Sequence, residues 1–283
     1  MSRTASPTVR RRRLSAELRR LRELAGLTIE EVGERLECSA SKISRIETGQ
    51  VGVNPRDARD MLELYGLDDD ERMALVALAR EARHKGWWHA YSEVFTGTFV
   101  GLESEAASLH TFQALLVPGL LQTEAYTRAV IRAIRPDGDE AELERRIAGR
   151  IQRQKLLQDP EPPQYWAVID EAVLWRTVGG RAVMRDQLWH LVAVAKLPWV
   201  TLQVMPFEAG EHAGMEGAFL ILGFPETADE DVVYVEYTTS GVYLERESDV
   251  VRYTVMFDHL RAAALSPEET IGRLGQMAER LSS

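Results

Sequence analysis

One cysteine, Cys38, is the only thiol in this chain, so neither an intramolecular disulfide nor a cysteine-rich zinc site can be assembled from it. It reads as a small packed side chain in a reducing compartment. No apolar run approaches the ~20 residues of a membrane-spanning helix. The basic start, MSRTASPTVRRRRL, lacks the apolar centre of a secretory signal, so the expected location is the cytoplasm, with no membrane partner. Also missing are an H-x-x-x-H metal spacing, a G-x-S-x-G nucleophile turn and a glycine-rich phosphate loop after a strand. No cofactor, metal or catalytic residue is expected, and the chain is not read as an enzyme.

What is present divides by charge. Residues 1–60 carry 13 Arg and Lys against 9 Asp and Glu, whereas the remaining 223 carry 21 against 35. A cationic segment on an acidic body is the footprint of a local polyanion contact, with the rest held away by repulsion. At 283 residues the chain exceeds the ~250 at which single cores stop growing, so two domains are expected.

The cationic part is patterned as short helices. Leu14, Leu18, Leu21 and Ala25 recur at helical spacing and Gly26 follows as a stop. Thr28 can cap a second helix, with Glu31 as its capping-box partner and Val32 and Leu36 facing inward. Gly33 in that helix points to a close helix crossing, since glycine there costs ~1 kcal/mol without such a reason. Ser39 caps a third helix in which Ile43 and Ile46 point inward while Ala40, Ser41, Lys42, Ser44 and Arg45 occupy the other side. Asn54-Pro55 opens a fourth and the acidic run at 68–72 a fifth. The arginines at 10–13 read as a flexible basic arm over residues 1–13.

Gly26-Leu27-Thr28, Gly33 and the run S-A-S-K-I-S-R-I-E-T-G at 39–49 resemble the phage-repressor (Xre/Cro-type) helix-turn-helix family, which binds double-stranded DNA through its third helix. The resemblance covers about residues 14–66. It implies base reading by Ala40, Ser41 and Arg45, with Ser39 at the head of the same helix and Thr28, Lys42, Ser44 and Thr48 at or near phosphates. It also implies an internal ion pair between Arg22 and Glu47. Two positions depart from the family: Ile29 stands where a backbone-contacting glutamine is common, and Glu37 where a turn glycine is common.

Residues 84–110 read as an aromatic-rich junction, with Trp87, Trp88, Tyr91, Phe95 and Phe99 packed between domains or lining a groove. A long helix is expected over 140–158, with Leu143, Ile147, Ile151 and Leu156 along one side. Beyond the breaker D-P-E-P-P the period becomes that of strands: QYWAVID, WVTLQVMPF, GAFLILGF and DVVYVEYTT, with a helix between the first two and helices from 248 onward. A hairpin with Gly241 in its turn is expected at 238–245. The fold expected is therefore an all-α helix-turn-helix bundle over 14–83 followed by an α+β domain over 111–283 with a mixed or antiparallel sheet. Asp170, Glu171, His190, Glu211, His212 and Glu216 are its polar candidates, with Asp170-Glu171 read as a helix cap, His190 as a hydrogen-bonded core residue and 208–218 as a flexible loop.

The order of WW, GLESEA, VPGLLQTEAY, RQKLL, QLWHL, LQVMPF, GAFLIL and VYVEY is similar to the carboxy-terminal domain that accompanies this helix-turn-helix in the Scr1-type (antitoxin-like, WhiJ-like) bacterial regulators. That likeness implies a transcription regulator whose second domain meets a small companion protein. A homodimer is expected, because one bundle makes few base contacts, and a small-molecule effector is a further expected partner. Two rival readings stay open: an antitoxin-like interaction module that binds DNA only secondarily, and a hydrolase or nucleotide-binding enzyme using Asp170, His190 or His212.

Overall fold

Side-chain caps set the helix starts in the computed structural model, which describes residues 7–83, 87–91, 94, 97–224, 231–238 and 240–282. The first of two units, 1–105, contains α1 (Pro7–Leu24), α2 (Ile29–Arg35), α3 (Ala40–Glu47), α4 (Pro55–Leu64), α5 (Asp69–Glu81) and α6 (Gly97–Glu105). Thr28, Ser39, Asn54 and Asp68 each accept a backbone N–H of the turn they open, satisfying donors that would otherwise lack partners. Leu14, Leu18, Val32, Ile43, Ile46 and Met61 form the centre of the core. Burial of each contributes ~1.5–3 kcal/mol relative to exposure.

Two expectations change here. The arginines at 10–13 lie within α1 rather than in a flexible arm. Arg10 is tied to α5 through Glu81 at 3.3 Å. The reason for Gly33 is a backbone approach by the turn that follows, not a helix crossing: a Cβ there would lie 2.9 Å from the Cys38 carbonyl oxygen and 3.1 Å from the Ala40 nitrogen.

The second unit, 106–283, is built on one mixed sheet. Its strands are β1 (Ser108–Gln113), β2 (Gln164–Asp170), β3 (Val200–Met205), β4 (Phe219–Gly223), β5 (Val232–Glu236) and β6 (Gly241–Leu244), in the order β3-β2-β1-β4-β5-β6. The first three run parallel, with His110 beside Trp166 and Trp166 beside Thr201. β4, β5 and β6 continue antiparallel from β1. Helices α7 (Glu124–Ile134), α8 (Glu140–Gln154), α9 (Ala172–Trp175), α10 (Arg181–Val194), α11 (Glu247–Ala263) and α12 (Pro267–Ser282) complete the unit. Phe257 and Leu260 of α11 pack on Phe112, Val168, Met205, Phe219, Ile221 and Val233, which alternate along their strands and so share one face. β3 is closed at its outer edge, where Val204 donates to the Thr270 hydroxyl at 3.0 Å and Leu265 donates to the Val204 carbonyl at 2.9 Å.

The expected junction 84–110 resolves into other elements. Trp87–Tyr91 is a short 3-10 turn, α6 takes 97–105, and β1 begins at Ser108; Phe95 lies outside the described residues. The long helix ends at Gln154, a 3-10 turn follows, and Leu157 rather than Leu156 is buried. Gly241 is not in the hairpin turn. It opens β6 opposite Glu236, the turn is closed by Tyr237 N–H to the Ser240 carbonyl at 2.7 Å, and a Cβ at 241 would fall 2.2 Å from the Tyr234 ring.

Candidate nucleic-acid interface

α3 is amphipathic by construction. Ile43, Ile46 and Glu47 are buried, while Ser41 and Arg45 are exposed and Ala40, Lys42 and Ser44 are half-exposed. Ser39 caps the helix through the Lys42 N–H at 3.2 Å. Thr48 closes it with its hydroxyl donating to the Ser44 carbonyl at 2.8 Å. The approach to α3 is held on both sides. Glu37 turns the chain at φ 50°, the only described non-glycine residue with positive φ, and Gly33 lets that turn close against α2.

The far end of α3 is fixed by charge. Arg22 donates from Nε to Glu47 Oε1 at 2.8 Å and from Nη2 to Oε2 at 3.0 Å, a two-pronged pairing, and from Nη1 to the Leu27 carbonyl at 2.7 Å. Their side chains are 10% and 3% exposed, so the pair is buried and its three bonds satisfy much of the guanidinium. The hydrogen bond with Glu47 raises the arginine's pKa above its ordinary value. Burial likewise pushes the Tyr65 hydroxyl up.

The residues expected at phosphates differ in how free they are. Thr28 is exposed, but its hydroxyl is occupied by the capping box, accepting from Glu31 N–H at 3.2 Å and donating to its carboxylate at 3.0 Å. Lys42 Nζ lies 2.6 Å from Asp57 Oδ2 of α4. That hydrogen bond raises the lysine pKa, while for Asp57 burial pushes upward and the bond to Lys42 wins, leaving the carboxyl below its ordinary value. No local pattern in the sequence marks Asp57, because its partner lies 15 residues away on another helix. Arg45 and Arg56 are exposed, and their side chains have no ion pair among the described residues. Ile29, where the family's glutamine is replaced, packs against the core. A cavity of about 320 Å³ between the α2–α3 turn and α4 is lined by Leu36, Cys38, Lys42, Ile43, Asp57 and Met61.

In the second unit the structure brings Asp170 and His212 together and leaves His190 elsewhere. His212 Nδ1 accepts from Gly214 N–H at 3.2 Å, which leaves Nε2 to face Asp170 Oδ2 at 3.5 Å. Asp170 also caps α9 through the Ala172 N–H at 2.8 Å. Glu171, expected as part of that cap, is instead a buried tie. It accepts from Phe207 N–H at 3.0 Å, Arg273 Nη1 at 2.6 Å and Trp175 Nε1 at 3.4 Å. Burial works against its charge, but these donors hold its carboxyl below the ordinary range. His190, on α10, is half-buried, and burial lowers its pKa. The expected flexible segment 208–218 contains two 3-10 turns, Phe207–Ala209 and Ala213–Glu216, pinned where Gly214 meets the Phe112 ring. Glu211 and Glu216 are exposed. Among the described residues no group of three or more His, Cys, Asp or Glu could hold a metal ion, and no helix is long and apolar enough to cross a membrane.

Comparison with known proteins agrees with this division. A family model described as a helix-turn-helix domain matches residues 13–75, and one described as a domain of unknown function, DUF5753, matches residues 96–276. Neither the curated proteins nor the solved structures contain a match to this chain. The first unit thus carries a helix-turn-helix DNA-binding domain, and the second a mixed six-stranded α+β fold.

Proposed function

The chain belongs to the DUF5753 family, and from that premise we propose that it is a non-enzymatic, sequence-specific transcription regulator of the cytoplasm whose α3 lies in the major groove of double-stranded DNA. Ala40, Ser41 and Arg45 read base edges in this proposal, and Thr28, Ser39, Lys42, Ser44 and Thr48 border the phosphates. One observation carries it. The inward side of α3 is held by Ile43, Ile46 and the Arg22–Glu47 pair, while Ser41 and Arg45 stand exposed on its outward side.

A rigid helix that presents an unpaired arginine suits bidentate recognition of guanine, worth ~1–3 kcal/mol per base. One such helix discriminates weakly, so the second unit dimerises the chain in this reading and places two α3 helices on half-sites ~34 Å apart. Selection of bound sequences from a random pool tests it. A two-fold symmetric motif is expected, and Arg45→Ala should cost ~1–3 kcal/mol at one position per half-site. Equal losses on selected and random DNA would remove Arg45 from base reading.

A second reading, the Scr1-type, antitoxin-like module with a small companion protein, is favoured by a different feature. Trp175 and Phe207 are 53% and 57% exposed, yet both are hung from buried Glu171, and Glu208, Glu211 and Glu216 are exposed in the adjoining segment. Fixed apolar groups beside acids suit a partner protein or effector. A stable complex that leaves DNA affinity unchanged supports this second reading over the first.

A further inference from the structure

α3 has eight residues, about 12 Å at the helical rise, and the major groove is ~12 Å wide. A helix of that length in the groove has phosphates close to both its ends. Around its amino-terminal end stand Thr28, Ser39 and Lys42. At its carboxy-terminal end the chain from Thr48 to Asn54, TGQVGVN, contains no charged residue.

Besides Arg45 in the last turn of α3 and Arg56 in the first turn of α4, a further cation reaches that connection from α1. A Cβ on Gly52 would lie 3.7 Å from Arg11 Cδ, and one on Gly49 would lie 3.8 Å from Ser15 Oγ. α1 therefore follows the α3–α4 connection at two points one helical turn apart. The missing side chain at Gly52 leaves room for the arginine stem to lie across the connection. Arg11 is half-buried, and an arginine can pack its long stem while its charged end reaches water. Its neighbour Arg10 is committed to Glu81; Arg11 has no ion pair among the described residues.

We propose that Arg11, lying across Gly52, contacts the DNA phosphate at the carboxy-terminal end of α3, so that one wall of the groove is gripped from outside the helix-turn-helix itself. The inference rests on the DNA-binding reading above. It requires no base preference, because a guanidinium on a phosphate carries none.

The test uses the full chain and a random-sequence duplex, with affinity followed by fluorescence anisotropy as salt rises. Each phosphate neutralised contributes ~0.9 to the slope of log affinity against log salt, about a 3-fold change in affinity for a fourfold change in salt. Arg11→Gln should lose one such increment, Arg11→Lys should keep it, and the double variant R11Q/G52K should regain it by supplying the charge from the connection. Gly52→Glu, at an exposed position whose Cβ would lie 3.7 Å from Arg11 Cδ, should lose the increment by pairing with the guanidinium while Arg11 itself is retained, which guards against a folding defect in the first variant. Wild-type slopes in both Arg11→Gln and Gly52→Glu would overturn the proposal while leaving the DNA-binding reading intact. A wild-type chain that ignores every duplex at low salt would overturn both.

Discussion

Replacing Glu47 with alanine isolates the device that holds α3 against α1. Arg22 places three N–H bonds, two on Glu47 and one on the Leu27 carbonyl, and its side chain is 10% exposed. Removal of the carboxylate strips two of those bonds and leaves the cation with the Leu27 carbonyl and, at 3.5 Å, the exposed Glu23 carboxylate. Breaking a buried pair by removing one partner costs ~3–5 kcal/mol, and the loss here should fall toward the lower end because Glu23 stays within reach. Glu47→Gln keeps the shape and one good acceptor, so its cost should be nearer the ~1.5–3 kcal/mol of a charged hydrogen bond. The double variant R22M/E47L should recover most of the loss, because apolar replacement of both partners removes the desolvation penalty together with the attraction. Urea unfolding followed by circular dichroism at 222 nm measures all three, read as a shift in the first unit's transition, since a two-unit chain need not unfold in one step. A cost below ~1 kcal/mol for Glu47→Ala, or a double variant as unstable as the single one, would refute a buried pairing and with it the claim that α3 is rigidly held.

Other consequences can be checked independently. Gly33→Ala places a methyl 2.9 Å from the Cys38 carbonyl oxygen, which is backbone and cannot swing aside, so a loss of ~1–3 kcal/mol in a thermal or urea melt is expected; an unchanged melt would show that the turn has room to move. Asp57→Asn releases Lys42 from its 2.6 Å partner and should raise affinity for duplexes of every sequence by about 3-fold or more, seen in anisotropy titrations; no gain would mean that Lys42 does not face a phosphate. Glu171 has a depressed folded pKa, so its contribution is present above the unfolded carboxyl value of ~4.3 and is lost as pH falls through the lower folded value. Glu171→Gln should therefore flatten the acid limb of the second unit's stability, measured in urea melts from about pH 3 to pH 7, and an acid limb as steep as wild type's would contradict this assignment.

How much of this could be read in advance depended on the range of the forces involved. A cap speaks to a backbone amide two or three residues away, so Thr28, Ser39, Asn54 and Asp68 announce their helices in the sequence itself, and the spacing of Ile43 and Ile46 tells which side of α3 faces in. The strand β1 announces nothing of the kind. It runs between β2 and β4, where a continuous apolar run would be expected, yet its sequence is SLHTFQ. Its polar residues are accommodated by distant partners: the Thr111 hydroxyl donates to the Phe219 carbonyl at 2.8 Å, Gln113 donates to Thr111 at 3.1 Å, and His110 stacks on Phe257 with centroids 5.1 Å apart. Each partner but Thr111 lies more than a hundred residues along the chain, so a window of local sequence reports polar residues and no strand.

The same reasoning separates the parts of the candidate interface. The exposed half of α3 is a property of eight consecutive residues and was legible. The state of its cations is not a property of those residues, because Lys42 is bound to an acid on α4 and Arg11 reaches the α3–α4 connection from α1. Charge counted along the sequence therefore overstates what Lys42 can give to a phosphate and overlooks what Arg11 can. If the salt dependence of binding tracked the number of basic residues in 39–49 alone, with Asp57 and Gly52 substitutions silent, tertiary pairing would have no part in setting the polyanion contact. If instead Asp57→Asn adds to the slope and Gly52→Glu subtracts from it, the electrostatic footprint belongs to the folded surface and not to the recognition helix by itself.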